Sequence, residues 1–275
     1  MIRIESLHLY PVKSAAVIDV PQSLVTPQGL LHDRSWLIVN PEGQFLTQRT
    51  HPQLARLQTE LTSQGLLLRD PQAGDLLLPL ELPAWESEHE QPLQKVRVWK
   101  RDMLAYDTGD VAAEFVSKIV GEPARLMRAS KETFPDGYPL LLCTQESLAA
   151  LNAELPQSLP MDRFRPNIVV SGIPAWQEDH LQYLTIGSDI MLRPMKACTR
   201  CVMTSIDQAT GARSLSPLEA LRRLHYDPAL RGVTFGQNLR VDRGFGKEIR
   251  VGDRVDVSWK PARYPTTGPE TLPDL

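Results

Sequence analysis

Residues 2–14 read Ile2-Arg3-Ile4-Glu5-Ser6-Leu7-His8-Leu9-Tyr10-Pro11-Val12-Lys13-Ser14. Ile2, Ile4, Leu7 and Leu9 interleave with polar residues, as in a half-buried strand, and Tyr10-Pro11-Val12-Lys13-Ser14 closes that strand in a turn. The same texture continues through the first hundred residues. Ser35-Trp36-Leu37-Ile38-Val39 reads as a buried strand, and Val96-Arg97-Val98-Trp99 alternates cleanly. Turn signals separate the strands at Thr26-Pro27-Gln28-Gly29, Asn40-Pro41-Glu42-Gly43 and Asp70-Pro71-Gln72-Ala73-Gly74-Asp75. Hairpins at that spacing predict a small antiparallel barrel or sandwich.

Helical pattern first enters near Thr108, an expected N-cap, with Asp110, Val111, Phe115, Ile119 and Val120 on one face. A second helix is expected from Thr144 to Glu154 with Leu148 and Leu151 inward. A third follows Pro217 and carries Leu218, Leu221 and Leu224. Further strands are expected at Asn167–Val170, Tyr183–Ile186, Asp189–Met195 and Arg254–Val257. The fold class is therefore mainly β with a few short helices (α+β). We place an N-terminal domain at 1–115, a second at 116–260 and a flexible tail at 261–275. Pro83 to Gln91, with Glu86, Glu88 and Glu90, reads as a solvated acidic loop.

At 275 residues the chain can bury a core without disulfide staples. A net charge of −3 gives no handle for nucleic acid or an anionic membrane. Cys143, Cys198 and Cys201 cannot make a disulfide framework. The start lacks a signal peptide's pattern, and no apolar run approaches the ~18 residues of a membrane-spanning helix. A soluble protein in the reducing cytoplasm is expected.

Chemistry concentrates in a few places. Cys198-Thr199-Arg200-Cys201 fits a redox pair, part of a zinc site, a single metal-ligating thiolate or two small core residues. Arg200 beside Cys201 favours the thiolate, and the following Val202–Asp207 reads as β-like. Lys13-Ser14 and Asp33-Arg34 suit either a phosphate grip or a solvated turn. Arg163-Phe164-Arg165-Pro166-Asn167 places two guanidinium groups before a buried strand, fit for a planar anion or for an ion pair to Asp162 or Asp179. No P-loop, G-x-G-x-x-G or G-x-S-x-G occurs.

Taken in order, Tyr10–Ser14, Asp33-Arg34-Ser35-Trp36, Arg163–Asn167, Cys198–Cys201 with Asp207-Gln208-Ala209-Thr210-Gly211, Phe235-Gly236-Gln237-Asn238 and Ile249-Arg250-Val251-Gly252-Asp253 form a set. That set resembles the MOSC family, in the subgroup where a MOSC β-barrel domain follows an N-terminal MOSC β-barrel domain. The subgroup includes the mitochondrial amidoxime-reducing components and bacterial hydroxylaminopurine-resistance proteins.

The resemblance implies a molybdenum cofactor, molybdenum carried on molybdopterin, with Cys201 as the protein's metal ligand. It implies Lys13, Ser14 and Arg34 at the pterin phosphate, and Arg165, Asn167, Thr199 and Arg200 around the pterin. Asp136, in the turn Asp136-Gly137-Tyr138-Pro139, is implied near the metal with a proton-handling role, and Asn238 is implied beside the cofactor. The activity implied is reduction of N-hydroxylated small molecules (hydroxylamines, amidoximes or hydroxylaminopurine). Electrons would come from a separate donor protein, a flavin or iron–sulfur reductase. The alternative is a cofactor carrier, or a sulfur-transfer protein with a persulfide on Cys201. Neither an iron–sulfur cluster, a pyridoxal phosphate domain nor a membrane anchor is expected.

Overall fold

The computed structural model of the chain describes residues 1–80 and 93–261. The acidic stretch Pro83–Gln91 and the tail after Pro261 lie outside the described residues. The first strands are β1 (Arg3–Leu9), β2 (Ile18–Val20), β3 (Gln22–Thr26), β4 (Gly29–Leu30) and β5 (Trp36–Val39). After a 3-10 turn at Pro52–Arg56 come β6 (Gln58–Thr62), β7 (Gly65–Asp70), β8 (Gly74–Leu78), β9 (Gln94–Val98) and β10 (Arg101–Asp107). Then follow α1 (Asp110–Val120), β11 (Arg125–Ala129), β12 (Leu140–Thr144), α2 (Gln145–Ala153), β13 (Ile168–Ser171), β14 (Leu181–Ile186) and β15 (Ile190–Thr199). The described chain closes with α3 (Leu218–Leu224), β16 (Tyr226–Asp227), β17 (Gly232–Arg243), β18 (Glu248–Arg250) and β19 (Val255–Trp259).

Strand β1 shows how the sequence resolves a conflict of spacing. Ile4 and Leu7 are both buried, yet three residues apart they belong on opposite faces of a regular strand. A register shift between Ile4 and Ser6 restores both to the core. The strand then pairs antiparallel with β13, Leu7 opposite Ile168. This joins the two ends of the sequence in one sheet, ordered β19-β14-β15-β17-β12-β13-β1-β2, with β16 on β17. Its pairs are antiparallel except β12–β13, which α2 connects as a crossover. Ile4, Leu7, Leu140, Ile168, Leu184 and Leu239 are among its buried side chains, each worth roughly 1.5–3 kcal/mol of apolar burial.

Smaller sheets complete the fold: β5-β11-β10-β9, β18-β3-β4 and β6-β7-β8. Every residue of β5 is buried. Trp36 and Ile38 pack with Phe115 and Val116 of α1, while Leu37 and Val39 pack with Val96, Val98 and Phe134.

Several local expectations need correction. Gly109, not Thr108, sits at the N-cap of α1 and makes no side-chain cap, because the Thr108 hydroxyl donates to the Leu126 carbonyl at 2.8 Å. Val111 is 74% exposed, since the first turn of α1 projects beyond the core that takes Ala112, Phe115 and Val116. The Val202–Asp207 run is not a strand: Val202–Ser205 forms a 3-10 turn, closed by Thr204 Oγ1 donating to the Cys201 carbonyl at 3.0 Å. Arg163 pairs with Asp207 at 2.9 Å rather than with Asp162 or Asp179. The second helix forms close to its expected bounds, and Thr144 caps it by accepting from the Ser147 N–H.

Candidate functional site

Pairing of β1 with β13 brings the turn after the first strand against the chain leading into the second. Val12 forms a bridge to Trp36, and the Lys13 N–H donates to the Trp36 carbonyl at 2.9 Å. Ser14, Arg34 and Arg165 therefore meet at one cleft, and all three have left-handed backbones, with φ of 72°, 47° and 53°. Such conformations are uncommon for residues other than glycine and gather at functional sites.

Arg34 is held on several sides. It donates to buried Asp33 at 2.5 Å, to Asn167 Oδ1 at 2.9 Å and to the Arg165 carbonyl at 3.3 Å. Its guanidinium lies 4.5 Å from the centroid of the Tyr10 ring, and that of Arg165 lies 4.1 Å from the same centroid. Burial pushes the Arg165 guanidinium down to about 10, and it donates to Gln208 Oε1 at 3.1 Å. Asn167 is fully engaged by the protein, accepting from Arg34 and the Leu141 N–H and donating to the His8 carbonyl at 3.1 Å.

The opposite wall comes from the end of β15. Arg200 donates through Nε to the Phe235 carbonyl and through Nη1 to the Phe164 carbonyl, both at 3.0 Å. The sulfur it approaches is that of Cys143, at 4.0 Å. Burial pushes the Cys143 thiol far up, keeping it protonated. Cys201 follows in extended backbone just before the 3-10 turn. It is half-buried, lines the cleft with Thr199 and Cys198, and its thiol makes no hydrogen bond among the described residues. Asn238 reaches the cleft from β17, donating to the Lys196 carbonyl at 3.2 Å.

The mouth is formed by residues 130–139. Asp136, Gly137 and Tyr138 line the cleft there. Asp136 accepts from Lys13 Nζ at 2.5 Å and from the Trp99 indole at 3.0 Å, with Arg49 at 3.7 Å. Burial alone would raise its carboxyl, but Lys13, Trp99 and Arg49 outweigh that and hold it well below the usual carboxylate range. Burial also pushes the Lys13 ammonium down, against the pull of Asp136.

The residues that the motifs assign to the cofactor, from Lys13, Ser14 and Arg34 through Asp136 and Arg165 to Cys201 and Asn238, all line this one cleft. Arg163, expected either at an anion or in an ion pair, lines it while paired with Asp207, and Arg49 lines it without having been singled out. Arg49 sits in the polar run Thr47-Gln48-Arg49-Thr50, whose Gln48 is buried and exchanges hydrogen bonds with Gln208 at 3.0 Å. A buried polar run is a signal only once burial is known. Among the described lining residues, six cations (Lys13, Arg34, Arg49, Arg163, Arg165 and Arg200) face the one carboxylate of Asp136. The cleft therefore suits an anion. Among the described residues, no three His, Cys, Asp or Glu side chains gather to hold a metal unaided.

Two family models divide the chain between them: the MOSC N-terminal beta barrel domain matches residues 1–123, and the MOSC domain matches residues 129–256. The chain belongs to the MOSC family. Among its MOSC relatives, the human "Mitochondrial amidoxime-reducing component 1" is 32% identical over 282 residues, covering 92% of this chain and 82% of that protein. The bovine "Mitochondrial amidoxime reducing component 2" is likewise 32% identical, over 92% of this chain and 82% of its own. The "Molybdenum cofactor sulfurase" of Drosophila grimshawi is 32% identical over 91% of this chain but only 34% of its own length. This MOSC protein is thus of a family associated with the molybdenum cofactor. Among the described residues it has no helix long and apolar enough to cross a membrane.

Proposed function

We propose that the protein is a molybdenum-cofactor-dependent reductase of N-hydroxylated small molecules, supplied with electrons by a separate donor protein. The observation that carries this is the cleft's donor set. A half-buried thiol free of hydrogen bonds stands among six cationic side chains and a single carboxylate. A soft thiolate suits a soft-ligated transition metal, and guanidinium and ammonium groups suit a phosphate. The residues present therefore fit a phosphorylated pterin that brings its own metal.

In this reading Cys201 holds the metal, and Lys13, Ser14 and Arg34 hold the phosphate. Arg165, Thr199, Arg200 and Asn238 surround the pterin, and Asn167 fixes Arg34 for that task. The cofactor supplies two-electron redox chemistry at its metal. The overall reaction, R–NHOH + 2e⁻ + 2H⁺ → R–NH₂ + H₂O, needs protons delivered within the cleft. Asp136 remains ionised at neutral pH, so it accepts and passes protons rather than storing one. An incoming phosphate competes with Asp136 for Lys13. The cytoplasmic compartment expected from the unpaired cysteines belongs to the same proposal; the reducing components matched above are mitochondrial by name.

The test is turnover. Protein from a host that makes the cofactor should reduce an aromatic amidoxime when a reduced viologen dye replaces the protein donor. The match to a sulfurase favours one rival, a cofactor carrier or a sulfur-transfer protein using a persulfide on Cys201. Stoichiometric molybdenum without any dye-driven reduction would establish the rival.

A further inference from the structure

The hairpin from β9 to β10 turns through only two residues, Trp99 and Lys100, because Val98 pairs directly with Arg101. Trp99 has φ +57°, whereas Lys100 is not in the left-handed region. That is the pattern of a II′ turn, whose first position glycine fills without steric cost. Tryptophan there is strained, and it is also 47% exposed, so neither turn geometry nor burial accounts for it. A strained, half-exposed aromatic side chain directs attention to what it touches.

Two of that side chain's contacts are to residues lining the cleft, Asp136 and Arg49. The indole N–H donates to Asp136 Oδ1 at 3.0 Å. The Arg49 guanidinium lies 4.6 Å from the ring centroid, and Phe45 packs edge-on at 5.0 Å. Beside it, Arg101 donates to the Pro135 carbonyl at 2.5 Å. The segment receiving these bonds, residues 130–139, contains no helix or strand. It is pinned at Phe134, whose ring is buried and whose N–H donates to the Arg34 carbonyl at 2.8 Å. Beyond Phe134, Asp136 is held by Lys13 from below and by the hairpin tip from outside.

We propose that Trp99 is a positioning residue, which fixes Asp136 and its segment at the cleft mouth through the indole N–H. The backbone strain at Trp99 is then the cost of aiming that donor. The consequence for turnover rests on the proposed reductase activity; the positioning itself does not.

The experiment compares wild type, Trp99→Phe and Trp99→Gly as full chains. Trp99→Phe keeps the ring for Phe45 and Arg49 but removes the donor; Trp99→Gly suits the turn. Lys131, exposed in the same segment, gives a tryptic site whose cleavage mass spectrometry follows. Trp99→Phe should be cut after Lys131 about tenfold faster than wild type, as expected for one lost bond to a charged acceptor, and Trp99→Gly at least as fast although it relieves the turn. Loaded with cofactor and driven by the viologen dye, both should lose kcat with KM for the amidoxime unchanged. Cleavage of Trp99→Phe at the wild-type rate overturns the proposal, whatever Trp99→Gly does. If wild type itself reduces no amidoxime, the reductase reading falls, while the proteolysis comparison still decides the role of Trp99.

Discussion

Arg34 and Arg165 share one aromatic ring: their guanidinium carbons lie 4.5 and 4.1 Å from the Tyr10 centroid, and Arg34 also donates to the Arg165 carbonyl. Two like charges are held together by the electron-rich ring face and by Asp33, which is buried and bonded to Arg34. The arrangement leaves positive charge concentrated where the cleft needs it. Arg165→Lys keeps the charge but loses the planar stack and the bond to Gln208. Molybdenum retained per chain should fall about tenfold, for a loss of roughly 1–2 kcal/mol of contact. Retention equal to wild type would remove Arg165 from the cofactor site.

Asp136 is an internal anion among the cleft's cations. Asp136→Asn should therefore bind inorganic phosphate more tightly than wild type in cofactor-free protein, by about tenfold, because the competitor for Lys13 is gone. The same variant should turn over more slowly when loaded. Calorimetry decides the first point, and weaker phosphate binding would contradict it.

The wall that carries Arg200 depends on Gly236. A Cβ there would stand 2.4 Å from the Leu142 carbonyl and 2.7 Å from Cys143 Sγ, at φ +78°. Both the backbone conformation and the close approach demand glycine. Gly236→Ala should cost about 3 kcal/mol or more in urea unfolding. A loss below about 1 kcal/mol would show that β12 and β17 can move apart freely.

Behind the same wall Glu178 is wholly buried, accepting from the Ser147 hydroxyl at 2.7 and 2.9 Å. Burial pushes its carboxyl above the ordinary 4.5, against the opposing Ser147 bond. A folded-state value above the unfolded one gives stability that is complete below 4.5 and declines as pH rises towards the folded value. Glu178→Gln cannot ionise and lacks this decline. Its stability relative to wild type should therefore increase as pH rises above 4.5 in urea titrations. A difference independent of pH would contradict the raised value.

Much of this was legible in the residues. The alternation in β1, the apolar run of β5 and the Thr144 cap follow from local chemistry, which acts within a few residues. The motif residues converge because β1 pairs with β13, a partnership between distant segments that periodicity within either one does not reveal. What stayed hidden depends on tertiary context. Arg49 and Trp99 gain meaning only from Asp136, which lies far from both in sequence. The 3-10 turn after Cys201 overrides a strand-like pattern because Arg163 and Thr204 bond its carbonyls and Asp207. The bulge in β1 was written in the odd spacing of Ile4 and Leu7, and it shows only once both are known to be buried.

The most direct test of the central claim is the molybdenum content of wild type and Cys201→Ser, measured by plasma mass spectrometry on protein from a host that makes the cofactor. The account predicts close to one molybdenum per wild-type chain, and its loss in the variant with the fold intact. Wild type free of molybdenum, or a variant that retains it in full, would contradict the assignment of Cys201 and of the cleft.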